Sequence, residues 1–136
     1  MQLLTSYLKP LISVVLIIFV ITSYGQTSKK DLLIGKWQFE KFISEYEGSE
    51  ITTEEEQMIK DANRANKGLI LTFSNDNKFK SEQKGGMEIN NSIGKYTLLP
   101  DNRIVIMEDT IKIERLDNVY FQMYQKGRPT IVFKRI

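Results

Sequence analysis

The chain has no cysteine and no histidine among its 136 residues. It has only one tryptophan and three prolines. Without cysteine there is no disulfide, no thiol nucleophile and no thiolate metal site. Without histidine, the side chain that titrates most readily near neutral pH is missing. Ser-His-Asp catalysis and histidine-based zinc chemistry go with it. Carboxylate pairs of the kind glycosidases use remain open, but the Asp and Glu residues fall mostly in turns and on polar strand faces. The expectation is a protein that is not an enzyme, with no catalytic residues, no cofactor and no metal. Strong net charge is also lacking. The formal charge is +2, which makes no electrostatic case for nucleic acid or an anionic membrane surface.

The first residues differ from the rest. "MQLLTSYLKP" carries one lysine, "LISVVLIIFVIT" is an apolar run, and "SYGQ" follows with small residues at Ser23 and Gly25. Charged, apolar and small in that order is the layout of a secretory signal peptide. The run is about a dozen residues, short of the roughly 20 that a spanning helix needs. A lipid anchor would need a cysteine at the cleavage site. Residues 1–25 are therefore expected to be a signal peptide, an uncleaved membrane anchor being the rival reading, and 26–136 one exported domain with no stable membrane span after cleavage, periplasmic or secreted. Beyond Gly25 stand eighteen basic and seventeen acidic residues, so the domain is close to neutral. With no disulfide, a core of this size must supply the stability by burial.

After a polar linker, "QTSKKD", turn-forming clusters recur: "SNDN" at 74–77, "KGG" at 84–86, "INNS" at 89–92, "LPDN" at 99–102, "MEDT" at 107–110, "LDN" at 116–118 and "QKGRP" at 125–129. Each is rich in residues that adopt or preset turn geometry. Pro100 suits the second position of a turn, and Asp117-Asn118 suits a two-residue hairpin. Between the clusters lie eight β-branched and aromatic runs, from "GKWQFEKFI" to "TIVFKR". Several alternate with period two, apolar on one face and polar on the other, which is the antiparallel pattern. Many short strands with tight turns indicate a sandwich or an up-and-down barrel. One segment departs. "TTEEEQMIKDANRANKG" reads as a helix over about 54–66, with Thr53 and Glu56 as a capping box and Gly68 as a stop. Met58, Ile59, Ala62 and Ala65 give it a narrow apolar stripe.

"DLLIGKW" at the head of the first strand resembles the Gly-x-Trp signature of lipocalins, and more closely the short lipocalin-like domains of exported bacterial proteins. "GLILTFSNDNKFK", "IGKYTLL" and "IVFKRI" continue the likeness. It implies an all-β fold, an eight-stranded antiparallel up-and-down barrel, into which the short helix read above falls between strands one and two. It also implies that Trp37 closes the base and that Arg135, on the last strand, packs over it. The strand count agrees independently. In an eight-stranded up-and-down barrel, strand one begins and strand eight ends at the same end, so the guanidinium can stack on the indole. Gly35 lets the chain pass close beneath.

The same topology sorts the connections. Those at 74–77, 100–102 and 117–118 share the base with Trp37. The long connection 44–68, the stretch 85–93, the "ED" turn and "QKGRP" share the other end, where a cavity mouth is expected with the helix as its lid. Apolar alternating positions are the candidate lining: Phe39, Leu71, Phe73, Tyr96, Phe121 and Met123. These would suit a small hydrophobic or amphipathic ligand. Lys41, counted on the Trp37 face, either pairs with a ligand carboxylate or extends to water at the rim. The acidic stretch "EYEGSEITTEEE" matches no calcium loop and reads as a solvated loop entering a helix. Two functions lead, a small-molecule binding module or a packed β-domain serving as an envelope structural part or protein-interaction module, with a carboxylate-dependent hydrolase third. The first two differ in whether the interior is empty or filled.

Overall fold

The structure, a computed structural model, describes residues 28–44, 51–83 and 91–136. The expected signal peptide at 1–25, the turn at 84–86 and the first half of the acidic stretch lie outside the described residues. The elements run α1 (Lys29–Leu33), β1 (Gly35–Ile43), α2 (Thr53–Ala65), β2 (Leu69–Phe73), β3 (Lys78–Gln83), β4 (Ser92–Leu99), β5 (Arg103–Ile106), β6 (Asp109–Leu116), β7 (Tyr120–Tyr124) and β8 (Thr130–Arg135). Each strand pairs with the next, antiparallel, and β1 pairs with β8, so the sheet closes into a barrel. Closure leaves no sheet edge along the paired length.

The inward face is aromatic and buried. Phe121 lies 5.7 Å from Trp37, 5.7 Å from Phe73 and 6.1 Å from Phe133, centroid to centroid. Phe133 leads to Phe39 at 6.1 Å and Phe39 to Phe42 at 5.1 Å. A continuous column of rings thus runs from the base to the far end of β1. Tilted and edge-on contacts of this kind add to the burial energy. Leu71, Tyr96, Ile104 and Met123 fill around it.

Two local features depart from the sequence expectations. The "QTSKKD" linker ends in a helix, α1, capped by Ser28, whose hydroxyl accepts from the Asp31 N–H at 3.1 Å. Five residues are too few to display a helical period, and such a helix is unstable alone. It persists because Leu33 is fully buried and its carbonyl accepts from the Trp37 indole N–H at 2.8 Å. The cap of α2 is Thr52 with Glu55, both halves of the box formed, and not Thr53 with Glu56. The run "TTEEE" offers both registers. In the one adopted, Glu56 faces Lys60 one turn on, at 2.8 Å.

The β6–β7 turn also shifts by one residue. Asp117 N–H donates to Tyr120 C=O at 3.0 Å, so Asn118 and Val119 are the central pair. The Asp117 carboxylate accepts from the Val119 and Tyr120 N–H groups at 2.8 and 2.7 Å and from Arg115. Those donors, the Tyr120 and Val119 amides foremost, hold its pKa down to about 2 from 3.8. A carboxyl depressed in the folded state contributes stability above its unfolded pKa and loses it as pH falls through the folded one. Asp117→Asn is therefore expected to flatten the decline in thermal midpoint between about pH 4 and pH 2. Parallel wild-type and variant slopes in that window would refute the assignment.

Candidate functional site

The mouth of the barrel is shaped by unequal strands. β1 pairs with β2 only from Gly35 to Gln38, whereas its pairing with β8 continues to Ile43. On the β2 side, the last turn of β1 is left to find other partners. Helix α2 supplies one. Asn63 Oδ1 accepts from the Phe42 N–H at 2.8 Å. The Ala65 carbonyl, at the helix's end, accepts from Gln83 Nε2 on β3. The C-terminal half of α2 is thereby tied across the gap between β1 and β3.

The N-terminal half stands off. No residue of α2 is fully buried, and Met58 is 70% exposed. Glu55, Met58, Ile59 and Ala62, spaced three and four apart, share one helix face. Opposite them lie Phe42 and Ser44 at the end of β1 and Gly127, Arg128 and Pro129 before β8. Between the two sides is a cavity of about 320 Å³ with a predominantly apolar lining. This lies within the size range of small-molecule sites. Phe42 is both its floor and the last ring of the interior column.

The residues predicted to line a cavity occupy other places. Phe39, Leu71, Phe73, Tyr96, Phe121 and Met123 are all at most 7% exposed and belong to the packed core. None borders the mouth cavity. Tyr96 points away from it, donating from its hydroxyl to Ser74 C=O at 2.8 Å in the β2–β3 turn. Burial raises its pKa. Lys41 does not share the face of Trp37. A bulge between Phe39 and Lys41 shifts the register, so Lys41 sits opposite Val132 on the outside and Phe42 opposite Ile131. One extra residue reverses the alternation beyond it. The trace of this in the sequence is the three-residue step from Phe39 to Phe42. The helix and the Gly127–Pro129 turn reach the cavity through chain reversal, which no spacing along the chain displays.

The base is closed. The Arg135 guanidinium carbon lies 4.3 Å from the Trp37 ring centroid. Its Nη1 donates to Ile34 C=O at 3.0 Å, and its Nη2 donates to Leu32 C=O. Gly35 has φ +134°, and a Cβ there would come within 2.8 Å of Arg135 Nη1. A β-carbon is thus excluded twice, by backbone conformation and by the guanidinium.

No family model matches the chain, and no curated protein matches it. Among solved structures, a lipocalin-like protein from Bacteroides uniformis ATCC 8492 is similar over 77% of this chain and 99% of that chain, with a TM-score of 0.54 and 16% identity. The fold is lipocalin-like. In this lipocalin-like barrel the closed base and the helix-shaded mouth stand at opposite ends of β1. Between them the inward side chains of the described residues form one packed cluster, and the cavity beside α2 lies at the rim.

Proposed function

We propose that this protein is an exported, non-catalytic binding module for a small hydrophobic or amphipathic molecule, held at the mouth between α2 and the end of β1. The observation that supports this reading is the apolar cavity of about 320 Å³. Helix α2 has no fully buried residue, yet hydrogen bonds from Phe42 and Gln83 hold it over that space. Absence of catalysis is supported by the lack of His and Cys. Among the described residues no cluster of carboxylates suited to a metal occurs. Among the described residues the one strongly shifted carboxyl, Asp117, owes its shift to a turn. Export rests on the order of the first 25 residues. Among the described residues no helix is long and apolar enough to cross a membrane.

The filled interior favours the second reading, a β-domain used for protein contact. The two separate on one experiment. Protein purified from its own host is expected to carry a small molecule in native mass spectrometry. A fluorescent fatty-acid probe is expected to be displaced by that extract. A bare mass with no displaceable probe would favour the protein-contact domain.

A further inference from the structure

Of the five arginines in the chain, four have their guanidinium groups engaged. Arg64 faces Asp61, Arg103 faces Asp101, Arg115 faces Asp117, and Arg135 holds the carbonyls of α1. The fifth, Arg128, borders the mouth cavity, and among the described residues no carboxylate or carbonyl accepts from its guanidinium. Its backbone is nonetheless held. The Arg128 N–H donates to Gln125 C=O at 3.0 Å, with Gly127 at φ +77° before it and Pro129 after it. The turn thus presents five donors of a fixed fork beside an apolar space, with no acceptor supplied by the described residues.

We infer that the guest of this cavity is a single-tailed amphiphile with an anionic head, its head met by Arg128 and its tail laid along Phe42, Met58 and Ile59. The inference rests on the mouth cavity being a binding site. The opposite polarity is disfavoured by Glu55, the other charged residue of the lining. Its Oε2 already accepts from the Thr52 N–H at 3.0 Å within the capping box, and it sits where the helix N-terminus favours negative charge. A cationic head would have to share that carboxylate while facing Arg128. An anionic head finds a fork that no described residue shares, and a carboxylate matches it with two parallel hydrogen bonds.

The test is calorimetric titration of the purified protein with sodium decanoate, 1-decanol and decylamine. Decanoate is expected to bind about tenfold tighter than either of the others. Octanoate is expected to bind about fourfold more weakly per methylene removed. Arg128→Gln, at an exposed position, is expected to keep the thermal midpoint and bring decanoate down to the affinity of decanol. Ala62→Trp, which fills the cavity, is expected to abolish binding of all three. Equal affinities for the three probes, or a decanoate affinity unmoved by Arg128→Gln, would overturn the anionic head while leaving the site in place. No binding of any probe, or binding indifferent to Ala62→Trp, would overturn the site and this inference with it.

Discussion

Phe121→Ala is expected to lower the unfolding free energy by about 3–5 kcal/mol, a large fraction of the roughly 5–15 kcal/mol that holds a domain folded. Phe121 is fully buried and touches Trp37, Phe73 and Phe133 at once. It joins the base of the ring column to its upper part, so its loss removes transfer energy and three ring contacts and leaves a void that rigid strands cannot close. Met58→Ala is the matched control. That side chain is 70% exposed, and its loss is expected to change stability by less than about 0.5 kcal/mol. Urea unfolding with a common slope gives both numbers. The void has a second consequence. A cavity lined by Phe and Trp stays dry and takes up small apolar molecules. Phe121→Ala is therefore expected to acquire benzene binding inside the barrel that the wild type lacks. A Phe121→Ala midpoint close to the wild-type value would mean the interior is not packed around that ring. The mouth would then lose its standing as the place where a guest fits.

The strands were legible because their chemistry is local. "LILTF" and "TIVFKR" read as strands from β-branched residues between turn clusters, and β2 and β8 have those bounds. Closure followed from counting. Trp37 pairs with Arg135 across β1 and β8, as two ends of an even-stranded meander require. What was not legible depends on contacts made at a distance. α1 has too few residues to carry a period, and it holds together through Trp37 and Arg135, four and over a hundred positions away. The bulge at Glu40 leaves only the uneven spacing of Phe39 and Phe42, and it moves Lys41 outward. The candidate lining was drawn from correct inward positions. Inward-facing does not say whether facing side chains meet, and here seven of the aromatic contacts that fill the barrel come from those faces. Whether a barrel is empty is a sum of volumes. The pattern of alternation carries no term for it.

Replacing Arg135 is expected to be the other severe change, and it tests the base as a unit. Arg135→Ala removes two hydrogen bonds from a charged donor and the stack on Trp37, at an expected cost of about 2–4 kcal/mol. The carbonyls of Leu32 and Ile34 lose their donors, so α1 is expected to loosen first. Amide exchange in 29–34 should accelerate ahead of the strands. Arg135→Lys keeps the charge but has one ammonium in place of a fork. It is expected to recover less than half of the loss, which separates geometry from charge. Gly35 supplies the sharper argument. Gly35→Ala meets two penalties, a backbone at φ +134° and a Cβ 2.8 Å from Arg135 Nη1. The first is independent of Arg135 and persists in any background. The second vanishes when the guanidinium is gone. The double variant Gly35→Ala, Arg135→Ala is accordingly expected to be more stable than the sum of the singles by about 0.5–3 kcal/mol. Strict additivity would place the guanidinium elsewhere than over Gly35, and the closure of the base would then need another explanation.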